Sequence, residues 1–165
     1  MMLEYLKYGA IMLALIIVQK TLIWLIAVTS YEITPDIVII GLVYFAVKKG
    51  KITGSVGGFA AGLIVDIFSF SFIGLMALSK AVSGFAAGFF NNQQKIERYL
   101  NTYQFIIIVS FCSLINNIIY FTMYFQGTNL VFADVLLRYI VPTTVYTALF
   151  STIPVIFARR RRFAR

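Results

Sequence analysis

Histidine is absent from this chain and cysteine occurs once, at Cys112. A lone cysteine rules out an internal disulfide framework, and without histidine a Cys/His metal site is excluded as well. General acid–base chemistry also loses its commonest agent, and no paired-carboxylate motif stands in for it. Charge is scarce: 12% of the 165 residues are Asp, Glu, Lys or Arg, about half the usual share of a soluble domain. Only six of those residues are acidic, and only three residues are proline.

Apolar side chains fill the space left over. They make up 61% of the chain, and the mean hydropathy is +0.90. The basic residues do not form the stripe of a nucleic-acid binder. They gather in short clusters between apolar runs, "KKGK" at 48–51 and "NNQQKIER" at 91–98, and in the terminal "ARRRRFAR". Clusters at the borders of apolar runs mark the cytoplasmic flanks of membrane helices.

Runs of about 20 residues are needed to cross a bilayer. The apolar pattern predicts an all-α membrane protein, a compact bundle of six transmembrane helices forming one domain. The expected spans are 8–28, 33–47, 54–68, 72–90, 102–125 and 135–158, followed by a basic tail at 159–165. Asp134, Arg138 and Pro142 blur the start of the sixth. With both termini cytoplasmic, every inward segment is basic. The outward loops "SYEITPD", "SFSF" and "QGTN" carry no lysine or arginine. Five spans would put a basic segment outside. Lys20, inside the first run, argues against a cleavable signal peptide.

The stretch "GSVGGFAAGLIVD" sets Gly54, Gly58, Gly62 and Asp66 four residues apart on the third helix. The fourth helix repeats the wording: "KAVSGFAAGFF" sets Gly84 and Gly88 in series with Lys80. Small residues let helix backbones approach where lipid supplies no hydrophobic drive. An antiparallel pairing of the two helices predicts Gly58 against Gly88, Gly62 against Gly84, and the Asp66 carboxylate against the Lys80 ammonium. Asp66 then either binds something or locks the bundle. An unpaired charge at this depth costs about 2.5–3.5 kcal/mol. Lys20 and Asn116 are expected at the same level as Asp66 and Lys80, as an intramembrane polar layer. The two lysines could equally snorkel to the outer interface, and Asn116 and Asn117 read as hydrogen-bond glue between helices more readily than as ligand contacts. Asp134 and Arg138, four apart, read as a surface ion pair. The tail Arg159, Arg160, Arg161 and Arg162 reads as a topology anchor touching anionic lipid.

The first helix with its glutamine ("LALIIVQKTL"), the outer loop with Pro35 and Asp36 ("ITPDIVIIGLVYF") and the motif "GSVGGFAAGLIVD" together resemble the MreD family of rod-shape-determining membrane proteins. "FIGLMALSKAVSGFAAG" is similar to that family's next helix. The resemblance covers most of residues 8 to 90, and Lys20 and Lys80 depart from it. It implies a non-enzymatic, cofactor-free scaffold of the bacterial cell-elongation complex in the inner membrane. Its implied partners are MreC, then MreB, RodA and its class B transpeptidase, with a role in sidewall peptidoglycan synthesis. It also implies a fold similar to the six-helix substrate-binding subunits of energy-coupling-factor transporters. A vitamin-type small-molecule binder is therefore the alternative function.

Overall fold

The computed structural model describes residues 2–21, 34–69, 72–92, 94–100, 102–127 and 131–156. These residues form helices and turns, with no strand among them. Helix α1 is Met2–Thr21, α2 Ile37–Lys49, α3 Lys51–Ser69 and α4 Leu75–Ala87, the last closed by a 3-10 turn at Gly88–Phe90. A short α5 (Ile96–Leu100) leads into α6 (Gln104–Tyr124). Next come α7 (Phe132–Val135), a π turn (Leu136–Ile140) and α8 (Val141–Phe150). With Ser151 and the helical residues 152–156 they make one continuous run, Phe132–Ile156.

Among the described residues, three helices are long and apolar enough to cross a membrane: Lys51–Ser69, Gln104–Tyr124 and Phe132–Ile156. They fall on three of the six expected spans. The run at Leu75–Phe90 is apolar but shorter, and α2 has 13 residues. The first expected span continues past Thr21 into residues outside those described. The last helix begins at Phe132, three residues before the expected start. Its π turn has a local cause. Pro142 lacks an N–H and its ring crowds the carbonyl one turn back, so the helix widens just ahead of it.

The core forms around α2. Its Val38, Ile39, Leu42, Val43, Ala46 and Val47 are all fully buried. One cluster joins α2 to α6 through Phe105, Ile108, Val109 and Cys112. A second joins it to α1 and α3 through Ile16, Ala61 and Val65. The most extensive helix contact is α3 on α4. Outward, α3 and α4 present large apolar side chains, Phe59, Val82 and Phe85 among them, as a lipid-facing surface requires.

The turn between α3 and α4 depends on Gly74, whose φ is 103°. A Cβ there would meet nothing within 4 Å, so only the backbone conformation demands glycine. Gly74→Ala is expected to cost about 1–2 kcal/mol, the penalty of the left-handed conformation. A thermal-unfolding midpoint in detergent measures it, and an unchanged midpoint would show that the turn relaxes freely.

Candidate functional site

Asp36 stands at the start of α2. Its Oδ1 accepts the Ile39 N–H at 3.1 Å, an N-cap bond, and its own N–H donates to Thr147 Oγ1 of α8 at 3.0 Å. Its Oδ2 accepts from Lys80 Nζ, an ion pair in which the Lys80 side chain is fully buried. The Pro35–Asp36 pair is therefore buried rather than a loop ornament. It fastens α2 to α4 and α8 at once. Gln19 of α1 joins this corner, its Oε1 accepting the Val38 N–H at 2.9 Å.

Asp66 does not meet Lys80. The expected pair is replaced by a cap between helices. Asp66 Oδ2 accepts the N–H groups of Gly74 at 2.9 Å and Ala77 at 3.2 Å, and Oδ1 accepts that of Met76 at 3.1 Å. The first amides of a helix have no intrahelical partner, and their dipole favours a negative group. The carboxylate of α3 supplies both needs of α4, and it is fully buried in doing so. Lys80 lies one turn further along α4 and turns instead to Asp36.

The same cap resets the glycine register. It draws the first turn of α4 level with Asp66, so α4 sits about two turns away from the expected pairing. Gly54 faces Gly84, each directing its missing Cβ at the other's carbonyl oxygen. Gly58 lies on the backbone of Lys80 and Ala81, Gly62 on Met76 and Ala77, and Gly88 on Lys51 and Gly50. All five glycines lie in one backbone-to-backbone contact, but the expected Gly58–Gly88 and Gly62–Gly84 pairs do not form. Reciprocal Cα–H to carbonyl approaches at Gly54 and Gly84 add about 0.5–1 kcal/mol each.

The remaining expected residues are spread around this corner. Lys20 Nζ donates to Ser69 Oγ on α3, and Lys20 is exposed. It takes neither of the two acids. Asn116 is buried on α6, its Nδ2 donating to Asn117 Oδ1 at 3.3 Å. Asp134 and Arg138 form an exposed pair at 3.9 Å. Arg159, Arg160, Arg161 and Arg162 lie outside the described residues.

A polar stripe on α8 completes the site: Thr143, Thr147 and Ser151, four residues apart and all buried. Sequence reasoning missed it. The spacing was visible in "TTVYTALFS", but hydroxyls disguise themselves in apolar helices by donating to their own backbone. Thr147 Oγ1 does so to Thr143 O at 2.8 Å, which leaves its oxygen free to accept from Asp36 N–H.

Between Asp36, Asn116 and Thr143 lies a cavity of about 430 Å³, at the opposite end of α2 from Lys48 and Lys49. Aromatic rings wall it. Tyr120 stacks on Tyr124 with centroids 5.6 Å apart, and Phe121 stacks on Phe125 at 6.1 Å. Tyr139 closes the far side, 4.9 Å from Phe125. Its base mixes the Asp36 carboxylate with amide and hydroxyl groups. Among the described residues, no group of three or more His, Cys, Asp or Glu is placed to hold a metal ion.

No curated protein and no solved structure matches the chain. The family model described as rod shape-determining protein MreD matches residues 4–159 of the 165. That family is a shape-determining structural membrane protein family, and the match extends well beyond the motifs of the first 90 residues. The chain belongs to the MreD family.

Proposed function

We propose that this protein is a non-enzymatic, six-span scaffold of the bacterial inner membrane that holds MreC within the cell-elongation complex and so supports sidewall peptidoglycan synthesis. Family membership over residues 4–159 is the observation that carries this reading. The interior agrees with it. Asp66 is given over to the first turn of α4, and Asp36 to Lys80 and the first turn of α2. These are the bonds of a rigid platform. On such a platform the α3–α4 face, with Phe59, Val82 and Phe85 outward, is the surface offered to the single transmembrane helix of MreC. Its small-residue interior keeps the two helices close, so the outward face is a shallow, fixed relief. The basic tail contacts anionic headgroups and, through them, the filament side of the complex; RodA and its transpeptidase are reached through MreC.

Co-expression with MreC is expected to give a complex that survives detergent extraction, and depletion is expected to round a rod-shaped host. Charged substitutions at Phe59 and Phe85 should lose MreC while leaving the protein folded. Normal cell shape on depletion, with MreC absent from the purified protein, would overturn the proposal.

A further inference from the structure

The aromatic-walled cavity holds a stranded hydrogen-bond acceptor, and the surrounding network fixes which atom it is. Thr144 Oγ1 gives its hydrogen to Ile140 O at 2.7 Å, so towards Asn117 it only accepts, from Nδ2 at 3.0 Å. That turns Asn117 Oδ1 towards Asn116, whose Nδ2 donates to it. Asn116 Oδ1 is what remains. It has no donor among the described residues, although Asn116 is only 3% exposed and lines the cavity. Thr143, also on the lining, has likewise given its hydrogen away, to Tyr139 O at 2.6 Å. A buried acceptor without a partner is costly, and native structures keep few of them.

Two residues of the cavity wall thus keep an acceptor with no hydrogen to give, Asn116 Oδ1, itself buried, and Thr143 Oγ1. The cavity also presents the Nε2 amide of Gln19, whose Oε1 is taken by Val38. Its charge is balanced, because Asp36 is matched by Lys80. An anion would meet the Asp36 carboxylate and the Asn116 oxygen, and a cation would find that carboxylate already matched by the Lys80 ammonium behind it. An acyl tail would leave the oxygen stranded, and the protein has separate apolar hollows, lined by Tyr8, Met12 and Phe45, that suit tails. Broad aromatic faces next to planar amides favour a ring with hydroxyls on its edge.

We infer that this cavity binds an uncharged, hydroxyl-bearing ring of the sugar type, donating to Asn116 Oδ1 and lying against the Tyr120, Tyr124 and Phe125 walls. Free sugar and the headgroup of a glycolipid share this chemistry. The site is independent of MreC docking, since it lies at the α2, α6 and α8 corner and not on the outer face of α3 and α4.

The full chain in phosphatidylcholine nanodiscs tests it, with glucose, N-acetylglucosamine and monoglucosyl diacylglycerol as probes and plain diacylglycerol as the control. At least one sugar-bearing probe is expected to raise the unfolding midpoint saturably, and diacylglycerol is not. Response to the glycolipid alone assigns a headgroup; response to the free sugars assigns a soluble ligand. Asn116→Leu is expected to weaken the response at least tenfold. It also takes the Asn116 donor from Asn117 Oδ1, so the response is read against each variant's own unliganded midpoint. Should that variant fail to fold, Thr143→Val and Tyr124→Ala give the same reading from the other side of the cavity. No shift with any probe would mean the cavity holds solvent only, and a shift undiminished in every variant would place the ligand elsewhere; either result overturns the inference.

Discussion

Lys80→Met is expected to destabilise the protein by about 3–5 kcal/mol, because it leaves the buried Asp36 carboxylate without its counter-charge. Asp36→Asn alone should also be harmful, since it strands the ammonium while keeping an oxygen to cap α2. The double variant Asp36→Asn with Lys80→Met is expected to regain much of the loss. Replacing a buried pair as a unit is far less damaging than breaking it. A double-mutant cycle on unfolding midpoints in detergent measures the coupling, and simple addition of the two losses would refute the pair. The cycle also separates the two candidate acids. If Asp66 were the partner, Asp66→Asn would rescue Lys80→Met; here it is expected to make matters worse, because it weakens an unrelated cap.

Gly62→Leu is the second large effect. The direction a side chain would take from Gly62 is filled by the Ala77 Cα and the Met76 carbonyl, backbone atoms that cannot swing aside. A leucine must push α4 off α3 along the whole contact, with a cost at or above the ~1–3 kcal/mol of ordinary overpacking. Asp66→Asn should cost less, on the order of a lost cap at about 0.5–2 kcal/mol, since its remaining carbonyl oxygen still accepts from the first turn of α4. Equal tolerance of the two substitutions would mean that the glycine face meets lipid and not a helix. The ordering matters for function because the α3–α4 unit is the proposed docking platform.

Much of this protein was legible in one dimension. The membrane class followed from composition. Gly54, Gly58, Gly62, Gly84 and Gly88 announced a close helix contact because only small residues repeat at that spacing. The family could be read from the first helix with its Gln19, from "ITPDIVIIGLVYF" and from "GSVGGFAAGLIVD", and the α6 asparagines were visible as polar residues in an apolar span. What misled was Asp66 and Lys80, each four residues from a glycine and of opposite sign. Complementary charge on adjacent helices looks like a pair when only charge is counted. Backbone amides at a helix start are donors too, and they carry no letter in the sequence.

Composition and spacing alone therefore determined the solvent this chain folds in, its all-helical class and the sides on which two of its helices touch. Those properties are local: they depend on hydropathy along a run and on which residues lack a side chain. The register of α3 on α4, the choice of Asp36 for Lys80 and the cavity at Asn116 were decided by tertiary structure. Each depends on where a helix end comes to rest in space, and three unsatisfied N–H groups at that end outweighed a single distant ammonium.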